Sequence, residues 1–176
     1  MALREIRILG DSVLEKKCNE VKKMTPRLHI LIKDMFDTMY NAEGVGLAAP
    51  QVGVLRRIVV IDVDGAHPYV LINPVIQEQD GEQTGAEGCL SVPGQAGNVT
   101  RPAHVVVRAL NENMEEYTVE GTGPLARCLC HEIDHLDGIM YTTKVEGELF
   151  DTAQPEDVID EDPVGDVMNG NIGDEQ

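Results

Sequence analysis

The chain has 176 residues, enough for one domain with its own hydrophobic core and no need of disulfides. Its formal charge of -17 sits mostly at one end: no Lys or Arg follows Lys144, and the body through Glu146 carries 21 acids against 14 bases. A moderately acidic body gives no reason to expect duplex nucleic acid as the main partner, and DNA is not expected, since phosphate neutralisation needs clustered Lys and Arg. A sequence with no 18-residue apolar run and no signal-like N-terminus points away from the membrane and towards the cytoplasm.

In chain order, residues 6–9 form a short apolar segment, and residues 13–18 read as weakly helical, with Cys18 as a small apolar residue. Thr25-Pro26 starts a helix, and Leu28, Leu31, Ile32, Met35, Phe36 and Met39 give it an apolar stripe before Gly44. Residues 44–51, Gly-Val-Gly-Leu-Ala-Ala-Pro-Gln, are too small and too broken for a good strand or a full helix. Such a stretch lets backbone approach a ligand closely, with the Gln51 amide beside it able to donate and accept.

Residues 58–62 and 69–73 are β-branched runs that read as paired strands; Asn73-Pro74 turns the chain into a third, residues 75–79. In Glu87-Gly88-Cys89-Leu90-Ser91, an extended segment closed by Pro93, the sulfur and neighbouring backbone N–H groups can face one way. Alone, Cys89 reads as a buried structural thiol. Residues 104–110 and 116–120 form a hairpin candidate. In a reducing cytoplasm, Cys18, Cys89, Cys128 and Cys130 are expected as free thiols or ligands.

The chemistry is expected in residues 128–138, which contain His131-Glu132-Ile133-Asp134-His135. Pro124 suits a first helical turn, Gly138 a stop, and Leu125, Leu129, Ile133 and Leu136 recur at helical spacing. On a helix the two histidines lie one turn apart, their Cβ atoms roughly 5–6 Å from each other, within reach of one metal ion. Glu132 lies about 100° round the axis and suits a general base acting on a water or substrate atom at the metal's open position.

With the three stretches set out, the chain resembles the peptide deformylases. That family's signatures, Gly-x-Gly-Leu-Ala-Ala-Pro-Gln, Glu-Gly-Cys-Leu-Ser and His-Glu-x-x-His, stand here in order at residues 44–51, 87–91 and 131–135. The resemblance implies an α+β fold with small antiparallel or mixed β-sheets around a central metal-binding helix and an N-terminal core helix. It implies Cys89, His131 and His135 as ligands of one divalent metal, Fe2+ foremost, with Zn2+, Ni2+ or Co2+ also satisfied by such a donor set.

The implied reaction removes the formyl group from N-formylmethionine on N-formylmethionyl peptides and nascent chains near the ribosome, releasing formate. Glu132 is the implied proton shuttle, Gln51 and the Leu90 N–H the donors to the developing oxyanion. Gly46 would hold the substrate backbone, and Val45, Leu125 and Cys128 would border the methionine pocket.

One position departs from the family pattern: Cys130 stands where Gln usually precedes the first helix histidine. It is either an inert packing thiol or an oxidation-sensitive neighbour of the metal. The rival readings are a His-Glu-x-x-His peptidase and a metal-binding fold without catalysis. Against the first, no His follows His135 to complete a ligand set. The expected organisation is a catalytic domain over residues 1–147 and an acidic, disordered tail over 148–176.

Overall fold

The computed structural model describes residues 2–152. From residue 153 on, the expected tail lies outside the described residues. Phe150–Asp151 pair as a strand (β8) with Gln95 and Ala96, and Leu149 packs beside Val145 against a small apolar cluster.

Thr25 caps α1, Pro26–Asn41, its Oγ1 accepting from the Leu28 N–H at 3.3 Å, with Pro26 in the first turn where no N–H is missed. A second helix, α2, spans Gly123–Leu136 with Pro124 in its first turn. Seven further strands are β1 (Gly46–Ala48), β2 (Ile58–Ile61), β3 (Tyr69–Asp80), β4 (Gln83–Cys89), β5 (Val92–Arg101), β6 (His104–Leu110) and β7 (Glu116–Thr122). They form two antiparallel sheets, a five-stranded one in the order β1-β2-β3-β6-β7 and a three-stranded one in the order β4-β5-β8.

Successive side chains of a strand point to opposite faces, and in β2 both faces are covered. Ile58 and Val60 pack with Leu31, Ile32, Met35 and Met39 of α1, whereas Val59 and Ile61 pack with Ala126, Leu129, Ile133 and Leu136 of α2. The larger sheet is therefore sandwiched between the two helices at its β1-β2 end. With few aromatics to spend, the interior is aliphatic; Tyr141 is the one aromatic residue among the largest fully buried side chains. No helix among the described residues is long and apolar enough to cross a membrane.

Three local expectations differ from the structure. Residues 46–48 do form a strand, short but held by β2 through Gly46, Leu47 and Ala48, after which Ala49–Val52 make a single 3-10 turn. The chain does not turn at Asn73-Pro74: β3 passes through as one strand with a bulge between Ile72 and Val75. Asn73 takes a left-handed φ of 50°, which asparagine tolerates, and Pro74 falls where the ladder is interrupted. The weak helix at 13–18 is a 3-10 turn, Ser12–Glu15, capped by the Asp11 carboxylate.

Candidate metal centre and catalytic cleft

α2 brings His131 and His135 onto one face, with their Nε2 atoms 3.2 Å apart. Cys89 arrives from the end of β4, at a bulge between Gly88 and Cys89, and its Sγ lies 3.3 Å from His135 Nε2. One ligand atom from each of the three residues falls within 4.8 Å of the others. Donors bound at 2.0–2.3 Å around a tetrahedral centre stand roughly 3.3–3.8 Å apart, so the cluster fits a single divalent ion with one position left for water or substrate. Cys-His-His is a donor set for a borderline transition metal.

The charge balance favours a cation. His131 Nδ1 hydrogen-bonds Glu87 Oε1 at 2.6 Å, which leaves Nε2 facing Cys89 and His135. Burial would push the His131 imidazole down, but Cys89, Glu87 and Glu132 pull it up to about 10. His135, buried beside it, is driven well below the usual histidine range. A buried cluster that draws one positive charge into itself is suited to hold a metal cation in that place.

Behind His131, Glu87 is clamped by Arg101, whose Nε and Nη2 donate to its two oxygens at 3.1 and 2.6 Å, and by Arg127 Nη1 at 2.9 Å. Arg101 also reaches Asp134 Oδ2 at 2.6 Å, one residue before the second histidine. Burial alone would raise the Glu87 carboxyl, but hydrogen bonds from His131 and Arg101 hold it well below the usual carboxylate range. The outer carboxylate is thus ionised, bidentate to one guanidinium, and fixes the tautomer of the ligand histidine. Glu87, Arg101 and Ser91 have no role that the sequence alone reveals. The first and third stand inside the Glu-Gly-Cys-Leu-Ser stretch; Arg101 carries no local signal.

Glu132 is buried with its Oε2 unpartnered. Burial raises its carboxyl to about 7, and a divalent cation nearby would draw it back towards the ionised form. Gly46 of β1 stands against it: an added Cβ would collide with Glu132 Oε1 and come 2.8 Å from Cys128 Sγ. Gly46→Ala should therefore keep the fold, since the tip of Glu132 can swing, and lower kcat/KM by about 10², the typical cost of a small misplacement of a reacting group; steady-state rates beside a thermal melt would check it.

Gln51, fully buried in the turn after β1, has its orientation decided by its neighbours. Its Oε1 accepts the Ala48 N–H at 2.9 Å, so Nε2 is the end that reaches Ser91 Oγ at 3.1 Å and points to Cys89 Sγ at 3.4 Å. Leu90 is the first residue of the two-residue turn joining β4 to β5 beside it. Gln51, Glu87, Cys89, Leu90, His131 and Glu132 border one cleft of about 770 Å³, which Val45, Gly46, Gly88 and Cys128 also line; His135 is buried and not part of its lining.

Val45 is half exposed at the rim and Cys128 lies beneath it, its Sγ 3.8 Å from the Val45 carbonyl. Leu125 packs at Gly121 and borders a smaller cavity with Tyr69, while Val63 and Pro124 line both that cavity and the cleft. Cys130 points into the core among the α2 residues, and burial raises its thiol above the usual range. The structure therefore favours the inert packing thiol over a reactive neighbour of the metal.

Residues 3–149 match the family model described as polypeptide deformylase. A peptide deformylase of Agathobacter rectalis is 64% identical over 151 residues, covering 86% of this chain and 95% of that protein. One of Lachnoclostridium phytofermentans is 60% identical over 153 residues, covering 86% and 94%. Among solved structures, a peptide deformylase of Legionella pneumophila superposes with a TM-score of 0.80 at 45% identity, over 82% of this chain and 87% of that one. That of Synechococcus elongatus, solved in complex with actinonin, gives 0.79 at 41% identity, over 82% and 79%.

Proposed function

The chain belongs to the polypeptide deformylase family and is a hydrolase that removes the formyl group from N-formylmethionine at the start of new polypeptides; on that premise we propose how its own residues divide the work. Cys89, His131 and His135 hold one divalent metal ion, Fe2+ in the cell. When bound, the metal polarises the formyl oxygen and acidifies a water molecule. The observation that carries this assignment is the convergence of the Cys89 sulfur and the two Nε2 atoms beside the buried carboxylate of Glu132.

Glu132 takes the proton of the attacking water and returns it to the departing nitrogen, so that the amine leaves neutral and formate is released. The Gln51 Nε2 and the Leu90 N–H donate to the formyl oxygen as negative charge grows on it. Gly46 on the free side of β1 lines the cleft where an extended peptide backbone can lie, and Val45, Cys128 and Pro124 border the space for the methionine side chain. The catalytic domain spans residues 1–147. It works in the cytoplasm on chains still at the ribosome, where formylated N-termini first appear.

The test is formate release from one formylmethionyl peptide by anaerobically purified protein whose metal content has been measured. Cleavage inside an unformylated peptide, with no formate, would hand the site to the peptidase reading. Gln51→Leu should retain the metal and lose about 10²–10³ in kcat, the usual cost of one oxyanion donor; unchanged kcat would remove Gln51 from that role.

A further inference from the structure

Of the 14 Lys and Arg residues, eight pair with carboxylates: Arg4, Arg7, Lys33, Arg57, Arg101, Arg108, Arg127 and Lys144. The other six are Lys16, Lys17, Lys22, Lys23, Arg27 and Arg56, all exposed and without a carboxylate partner among the described residues. They are not scattered. Five lie between residues 16 and 27, and Arg56 joins them where Asn19 bridges to it, with the Asn19 N–H on the Leu55 carbonyl at 3.1 Å and the Arg57 N–H on the Asn19 carbonyl at 2.9 Å.

This strap is fastened rather than loose. The left-handed Asn73 in the β3 bulge grips it with both ends of its amide, Oδ1 accepting from the Val21 N–H and Nδ2 donating to the Val21 carbonyl, each at 2.8 Å. Between strap and α1 runs a groove of about 690 Å³ lined by Lys22, Lys23, Arg56 and Thr25, with Glu20 as its one acid. It shares no lining residue with the catalytic cleft. Three of these six cations, Lys22, Lys23 and Arg56, thus meet in one preorganised groove of an acidic body, a charge distribution that favours a polyanion with repeated, spaced charges.

We propose that this groove docks the enzyme on the phosphate backbone of double-helical RNA. The choice of RNA among polyanions rests on the function above, because the chains that need deformylation are made on an RNA surface. An anionic membrane fits less well: exposed large apolar residues that could insert are missing from residues 16–27, the stretch that carries the cations. Contacts of this kind position the protein without reading bases.

The experiment is fluorescence anisotropy of a labelled RNA hairpin titrated with the full chain. With roughly three phosphates neutralised, affinity should fall about 10- to 100-fold between about 50 and 200 mM salt. The triple reversal Lys22→Glu, Lys23→Glu, Arg56→Glu should abolish binding while formate release from a short peptide stays unchanged. The double reversal Lys33→Glu, Arg108→Glu, at paired cations elsewhere, should bind RNA nearly as well as the parent. Loss of RNA binding with retained deformylation separates this interaction from the catalytic assignment. No binding at the lower salt, binding unaffected by the triple reversal, or equal binding of polyglutamate would overturn the proposal. So would RNA binding seen only after residues 153–176 are removed, which would give the groove to the chain's own acidic end.

Discussion

Glu132→Ala is expected to bind its metal in full, melt no lower than the parent, and lose about 10²–10⁴ in kcat, the range for removal of a general acid-base. Retention of metal follows from position: Glu132 is not among the three convergent ligands. The stability follows from burial, since Oε2 has no hydrogen-bond donor and the folded state bears an unpaired buried carboxylate. The catalytic loss should sit in kcat rather than KM, because a proton shuttle acts on the transition state more than on the bound peptide. Metal analysis, a melting curve and steady-state rates on one formylated peptide make the comparison. Undiminished kcat would remove Glu132 as the base.

Glu87→Ala should do the reverse, striking stability and metal binding before chemistry. The carboxylate is buried, it neutralises Arg101 and touches Arg127, and it holds His131 Nδ1. Removing one partner of such a buried set leaves uncompensated charge and typically costs about 3–5 kcal/mol. For a chain of this length that corresponds to a melting point lower by roughly 6–20 °C. Metal affinity should fall about 10–100-fold, the usual effect of losing the outer partner of a ligand histidine.

Glu87→Gln separates the two effects. Its Oε1 can still accept from His131 Nδ1, so metal affinity should recover further than stability. The pH dependence has a defined sign. The Glu87 carboxyl is held below its unfolded value, so its contribution is complete above a pH of about 4.3 and drains away as the pH falls towards the folded value. Melting of the metal-free parent between about pH 3 and 6 should show that acid limb, and Glu87→Gln should flatten it. Equal acid sensitivity in both proteins would place the limb on other carboxylates.

The metal helix is legible in the sequence because its signals are local. Two histidines four apart, a proline in the first turn and an apolar stripe at helical spacing are all set within one stretch of chain. The same holds for α1 and for β2, whose β-branched run is buried on both faces. Strand β5 has no such signal, because Val92–Arg101 contains Pro93, Gly94 and Gly97 and owes its conformation to β4 and β8 on either side. The turn wrongly expected at Asn73-Pro74 has the same origin, since pairing with β6 on both sides of the bulge outweighs the local preference for turning.

By itself, then, the order of residues determined which side chains could perform chemistry: a thiol, two imidazoles and a carboxylate can be recognised wherever they occur in a diagnostic pattern. Tertiary structure alone decided which groups stand behind them. Arg101 reaches both Glu87 and Asp134, Ser91 turns to Gln51, and Lys22, Lys23 and Arg56, without carboxylate partners among the described residues, meet in one groove. Hydrogen bonds and ion pairs act over about 3–4 Å between residues tens of positions apart, and no local spacing rule can express a distance that exists only once the sheets and helices have packed.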